Sequence, residues 1–331
     1  MYTADEKRYD TMRYNRCGRS GLKLPVVSLG LWHNFGDFSS YDNMKQMCFT
    51  AFDHGITHFD LANNYGPEYG SAEKHFGLIL KEHLSAYRDE LIISSKAGYD
   101  MWKGPYGNWG ARKYLMSSLD QSLKRMNLDY VDIFYTHRFD PVTPIDETLQ
   151  ALVDIVKSGK ALYVGISRYP LEVMDHAYEY LASRDVPCLL YQGKYNILNR
   201  EPEQEGILAD AKAHGTGFIS FSPLAQGLLT DRYLNGIPAD SRAARNGSLQ
   251  QSILTPELVG KLKDLNDVAA SRGQSLAQMA VAWNLKDDLV TSVIVGASSI
   301  AQIDDNLKAL ENTRFSAEEL QLISAIVERQ G

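Results

Sequence analysis

Cysteine is scarce in this chain. Three occur among 331 residues, Cys17, Cys48 and Cys188, far apart and in no CxxC pair. That excludes a disulfide framework and a thiolate metal site, and it fits a reducing cytosol. No HExxH motif and no Cys/His cluster offers a metal as an electrophile, so no metal is expected. Basic residues are in the minority. Thirty-four Lys and Arg stand against 41 Asp and Glu, a net charge of -7, whereas a nucleic-acid binder would carry a basic face or stripe. Long apolar runs are missing too: the N-terminus opens with acids and lacks an apolar core of signal-peptide length, and no later run approaches the ~20 residues of a membrane span. A soluble, cytoplasmic protein is expected. No Pro/Ser-rich linker or charge block marks a domain boundary, and the GxGxxG fingerprint of a Rossmann domain is absent after the first strand, where the chain reads Gly30-Leu31-Trp32-His33.

What is present is an alternation. A hairpin is predicted over 13–24, with Gly18 and Gly21 bracketing Arg19-Ser20, followed by a strand Val26-Val27-Ser28-Leu29 that ends at Gly30. From Asp42 the spacing turns helical, with Met44, Met47, Cys48, Ala51 and Phe52 on one face, and stops at Gly55. Strands are then predicted at 58–60, 91–95, 130–135, 161–166, 189–192, 217–221 and 293–295. Helices are predicted at about 71–83, 112–126, 146–158, 171–182, 203–214 and 257–272, and two more at 299–310 and 316–329 close the chain. Most strands are continuous apolar runs, as strands buried on both faces are. Eight strands in βα units predict one (β/α)8 TIM barrel over 1–331, with an N-terminal β-hairpin and extra C-terminal helices. A long loop, about 225–256, follows the seventh strand; a loop that long is usually functional.

Active sites of parallel barrels lie at the C-terminal ends of the strands. Strand two ends in Asp60 with Tyr65 in the loop beyond it, strand three ends in Lys96, and strand four ends in His137. Alone, each has a structural explanation: a cap, half-buried filler, a solvated end, a packing residue. Together they compose an acid catalyst. A nearby ammonium is expected to lower the pKa of Tyr65, Asp60 to keep Lys96 charged and oriented, and His137 to hydrogen-bond a substrate carbonyl. Reduction of that carbonyl needs a hydride, which no side chain supplies. Asn63 and Asn64 either shape the loop that aims Tyr65 or touch substrate.

These motifs, Phe59-Asp60-Leu61-Ala62-Asn63-Asn64-Tyr65-Gly66, Ser95-Lys96-Ala97-Gly98 and Tyr135-Thr136-His137, resemble the aldo-keto reductases, NADPH-dependent carbonyl reductases on a barrel of this kind. The resemblance runs from the Gly18-Arg19-Ser20-Gly21-Leu22 hairpin to Val295-Gly296-Ala297-Ser298. The runs Leu31-Trp32-His33-Asn34-Phe35-Gly36, Ala97-Gly98-Tyr99-Asp100-Met101-Trp102 and Leu224-Ala225-Gln226-Gly227-Leu228-Leu229-Thr230 are most similar to the bacterial L-glyceraldehyde 3-phosphate reductase subgroup. That subgroup also reduces methylglyoxal and is related to potassium channel β subunits.

The resemblance implies Tyr65 as general acid, Lys96 and Asp60 as its tuning pair and His137 as the substrate-orienting residue. It implies that Ser167, Arg168 and Gln192 hold the nicotinamide amide, that Phe221 lies against the ring, and that Ser222 and Leu224 run along the pyrophosphate. Gly30, Leu31, Trp32, Gln226 and Gly296 complete the cofactor runs, Arg232 stands near the phosphates, and Ser298, Gln302 and Asn306 match adenosine contacts. The loop concentrates arginine in an acidic chain, at Arg232, Arg242 and Arg245, which suits a 2′-phosphate and hence NADPH. Trp32, Tyr65, Trp102 and His137, with His33, are the candidates to contact a small aldehyde. A homo-oligomer, tetramer or octamer, is a further implication. Two other functions are open: an NADPH-sensing regulatory subunit like the channel β subunits, disfavoured by the short stretch before the hairpin, and a barrel aldolase or isomerase using Lys96 as a Schiff-base amine.

Overall fold

Eight parallel strands close on themselves in the computed structural model, which describes residues 2–239, 241, 243, 244 and 249–329. The barrel strands are β3 (Val27–Gly30), β4 (His58–Asp60), β5 (Ile92–Ala97), β6 (Val131–Thr136), β7 (Ala161–Ser167), β8 (Leu190–Lys194), β9 (Gly217–Phe221) and β10 (Ser292–Val295), paired in chain order with β10 returning to β3. The register sets Gly30 beside Asp60, Asp60 beside Ser94, and Lys96 beside Tyr135. The β4–β5 ladder continues past Asp60, with Leu61 N donating to Ser94 O and Asn63 N to Lys96 O, each at 2.9 Å. Asp60 therefore sits inside a hydrogen-bonded ladder rather than at a loose strand end.

The hairpin, β1 (Tyr14–Arg16) with β2 (Lys23–Pro25), stops the opposite end of the barrel. Cys17 and Leu24 are fully buried with Ile133, Tyr135, Leu190 and Ile219 in the inner core. Gly18 adopts φ +53°, and a Cβ there would come 1.9 Å from Gly215 O, so the close approach of hairpin to barrel requires glycine.

Helices coat the outside. The first, Tyr41–Asp53, is capped by Ser40 and buries Met44, Met47, Cys48, Ala51 and Phe52, the face its spacing predicts. Three elements depart from the sequence expectation. The segment expected as one helix over 203–214 is broken by Gly206 at φ +87° into Glu201–Gln204 and Ile207–Ala213. The helix beginning at Ser71 ends at Ile79 and continues as a wider turn, Leu80–Leu84. An unexpected helix, Leu276–Asn284, lies before β10. It is buried almost all round and has no polar face for periodicity to find, although Ser275 and Gln278 form a capping box. The loop after β9 carries short helical turns at Ala225–Gly227, Asp231–Tyr233 and Gln251–Ile253. No helix among the described residues is long and apolar enough to cross a membrane.

Candidate active site

Asp60 and Lys96 form a buried ion pair at the top of adjacent strands. Lys96 is 0% and Asp60 2% exposed, and Lys96 Nζ donates to Asp60 Oδ2 at 2.6 Å and to Leu61 O at 2.7 Å. The other carboxylate oxygen, Oδ1, accepts from Ser94 Oγ at 2.7 Å and Gln192 Nε2 at 3.2 Å. The burial that would release the Lys96 proton is opposed by Asp60; desolvation lowers the ammonium's pKa while Asp60 raises it. An ion pair this buried returns little stability relative to apolar packing, so its retention points to a task.

Tyr65 stands over this pair. Its ring centroid is 5.1 Å from Lys96 Nζ, and its backbone is pinned by Tyr65 N to Ala62 O and Ala72 N to Tyr65 O. Gly66 follows at φ +87°, where a Cβ would meet Ser71 Oγ at 2.2 Å, so the turn that aims Tyr65 depends on glycine. His137 lies edge-on to Tyr65 at 5.7 Å and to Tyr99 at 4.7 Å. Trp32 stacks on Tyr65 from the other side at 5.7 Å. Desolvation, then Asp60, holds the Tyr65 phenol well above its usual pKa, with Arg168 opposing. The net lowering expected for the phenol is corrected here: burial and Asp60 outweigh the neighbouring cations, and Lys96 gives two of its three N–H donors to Asp60 and Leu61 O. His137 is pushed well below the usual imidazole value by burial and by Lys96, Arg168 and Arg138. A neutral phenol and a neutral imidazole therefore face each other, and His137 Nδ1 is buried without a partner.

These residues floor a cleft of about 1030 Å³ that runs across the barrel mouth. Gly30, Trp32, Asp60, Tyr65, His137, Ser167, Arg168, Gln192, Phe221, Ser222, Leu224, Gln226, Arg232, Gly296, Ser298, Gln302 and Asn306 all line it. Arg168, Ser222, Ala225 and Gln226 adopt positive φ without being glycine, and such strained backbone collects at ligand clamps. Gln226 Oε1 and Asn64 Oδ1 are buried in the cleft wall with no protein partner, as groups reserved for a ligand would be. Two candidates lie elsewhere. Leu31 is a correction: its side chain is fully buried in the core and does not line the cleft. Trp102 is a second, packing on Tyr114 at 5.1 Å, away from the lining. Arg242 and Arg245 fall outside the described residues.

The asparagine pair separates. Asn63 is fully buried and donates to Tyr114 Oη, so it anchors the loop; Asn64 faces the cleft. Arg138 is held by Gly98 O and Asn108 and stacked on Tyr99 and Trp109. Among the described residues the one clustered His/Asp group with metal-ligand spacing, Asp175, Asp210 and His214, is near the surface and remote from the cleft lining.

The model of the Aldo/keto reductase family matches residues 26–328. The chain belongs to that family. It is therefore an oxidoreductase. An L-glyceraldehyde 3-phosphate reductase of Escherichia coli K12 is 55% identical over 327 residues, 98% of this chain and 94% of that protein. A probable voltage-gated potassium channel subunit beta of Arabidopsis thaliana is 35% identical over 91% of this chain and 92% of its own length. Among solved structures, a thermostable aldo-keto reductase, Tm1743 with the inhibitor epalrestat, covers 95% of this chain and 100% of that chain at 28% identity and a TM-score of 0.74. The holo form of aldo-keto reductase AKR11C1 from Bacillus halodurans gives 26% identity and a TM-score of 0.75 over 95% of this chain and 96% of that chain.

Two groups in this reductase, His58 and His137, bind their protons more weakly when folded. Burial takes His58 from 6.5 to about 4, and His137 is lowered as well. As pH falls through 6.5 the unfolded chain takes up protons that the folded enzyme refuses. Stability is thus complete above that value and declines below it, His58's share being lost between 6.5 and about 4. Each histidine contributes a slope of up to about 1.4 kcal/mol per pH unit. Urea midpoints measured from neutral pH down to the onset of carboxylate titration check this; a flat profile would contradict it.

Proposed function

We propose that this reductase uses NADPH to reduce small aldehydes, glyceraldehyde 3-phosphate and methylglyoxal among them, with Tyr65 as the proton donor. The observation that carries the reading is the buried Asp60–Lys96 pair beneath a neutral Tyr65, with Asp60, Tyr65 and His137 together lining one cleft. When bound, the nicotinamide dinucleotide supplies the hydride. Ser167, Arg168 and Gln192 would hold its carboxamide, Phe221 would lie on its ring, and Gly296, Ser298, Gln302 and Asn306 would take the adenosine half. The unpartnered Gln226 Oε1 fits this assignment.

The side chains divide the remaining work. The neutral His137 hydrogen-bonds the substrate's carbonyl oxygen and turns it toward the Tyr65 hydroxyl. As negative charge grows on that oxygen, Tyr65 Oη releases its proton to it, and the Lys96 ammonium, fixed by Asp60, stabilises the phenolate left behind. Trp32 and Tyr65, stacked at 5.7 Å, form one aromatic wall of the site. The Escherichia coli relative's name supports a triose phosphate as one substrate.

Substrate choice is tested by kcat/KM for glyceraldehyde 3-phosphate against unphosphorylated glyceraldehyde. A higher value for the phosphate ester is expected, and equal values would remove the phosphate from recognition. Cofactor choice is tested at Arg232, which lines the cleft. Arg232→Ala is expected to raise KM for NADPH while leaving that for NADH alone, so that the ratio shifts by about 10-fold, the size of one charge-assisted contact. An unchanged ratio would exclude a 2′-phosphate contact by this arginine.

A further inference from the structure

Beneath the Asp60–Lys96 pair the barrel interior holds a histidine that the proton-delivery residues do not use. His58 lies two residues before Asp60 on β4 and is fully buried. Its Nδ1 is 2.8 Å from Ser28 Oγ on β3, and its Nε2 is 3.0 Å from Ser94 Oγ on β5. Ser28 Oγ is in turn 2.6 Å from Ser292 Oγ on β10, and Ser94 Oγ is 2.7 Å from Asp60 Oδ1. Five side chains from four neighbouring strands make one continuous hydrogen-bonded chain that ends on the carboxylate.

We propose that His58 is a positioning residue, the central link in a one-way relay of donors, Ser292 to Ser28 to His58 to Ser94 to Asp60, that holds the Asp60 carboxylate oriented toward Lys96. This rests on the assignment of Asp60 and Lys96 as the pair that supports Tyr65. The direction follows from counting protons. An ionised carboxylate only accepts, so Ser94 spends its single hydroxyl proton on Asp60. Ser94 then offers His58 only lone pairs, and Nε2 must carry the N–H. A neutral imidazole has one N–H, so Nδ1 accepts from Ser28, whose proton is thereby committed, and Ser292 donates to Ser28.

The charged groups near the ring are Asp60 and Lys96. Burial and Lys96 keep the imidazole neutral against the pull of Asp60, and neutrality is what the one-way order requires. Oδ1 receives Ser94 and Gln192 while Oδ2 receives Lys96, so the relay fixes which face of the carboxylate is left for the ammonium. A buried histidine serving only as packing would influence stability without influencing turnover.

The tautomer is read directly from imidazole nitrogen shifts of the uniformly labelled full-length protein at neutral pH, with the His58 signals assigned by their loss in His58→Gln. The Nε2–H form is expected; the Nδ1–H form or an imidazolium would overturn the proposal. Turnover gives the second test. His58→Leu is expected to lower kcat about 10-fold, the scale of one hydrogen bond to a charged group, with the NADPH Kd unchanged. His58→Gln, whose amide can still donate to Ser94, recovers most of it. Adding His58→Leu to Ser94→Ala costs nothing further, because the relay is already cut; multiplying losses, or equal losses in the Gln and Leu variants, would overturn the proposal. The tautomer is readable whether or not Tyr65 is the acid, so failure of that assignment shows separately, as retained activity in Tyr65→Phe.

Discussion

Tyr65→Phe is expected to lower kcat by ~10²–10⁴-fold, the range a positioned general acid contributes, while NADPH binds as tightly as before. The substitution deletes one oxygen and leaves the ring in its stack with Trp32 and its edge contact with His137. The side chain's packing is thus preserved, and an activity loss reports on the hydroxyl. Burial and Asp60 hold that hydroxyl protonated in the resting enzyme, so the enzyme stands ready to give a proton. The Lys96 ammonium matters later, when the phenolate appears. A variant that keeps wild-type kcat would remove Tyr65 from the reaction.

Lys96→Met is expected to act on both stability and turnover. Asp60 would lose the donor on Oδ2 and remain as an uncompensated carboxylate 2% exposed, at a cost of about 3–5 kcal/mol in unfolding free energy. Turnover falls as well, because nothing then stabilises the deprotonated tyrosine. The double variant Asp60→Asn/Lys96→Met is expected to be more stable than Lys96→Met alone, since the neutral amide no longer needs a cation, yet equally inactive. Denaturant midpoints and kcat for the three variants separate the two effects. If the double variant were the less stable, the buried charge would not be the source of the loss.

The barrel was legible because its strands are buried on both faces and therefore written as apolar runs. Asp60, Lys96 and His137 stood out as polar residues ending such runs. The helix Leu276–Asn284 stayed hidden because it is buried nearly all round, which removes the polar stripe that marks a helix, although Ser275 and Gln278 carried the cap signal. Ser28, His58, Ser94 and Ser292 are not legible as a group for a related physical reason. A small polar residue inside a β run looks like an outward position, and only closure of the barrel brings the four onto one interior face. What Trp102 packs against, here Tyr114, cannot be read from the sequence, because an aromatic in a loop carries no sign of its neighbours. Asn63 and Asn64, identical in sequence terms, part company only because the β4–β5 ladder extends through Asn63 and turns its side chain inward.

The most direct measurement of the central claim follows NADPH and product together when the purified protein is mixed with glyceraldehyde 3-phosphate or methylglyoxal. Saturable oxidation of NADPH, with one alcohol formed per cofactor consumed, is predicted for at least one of the two aldehydes. Tight NADPH binding with no oxidation in the presence of either would contradict it.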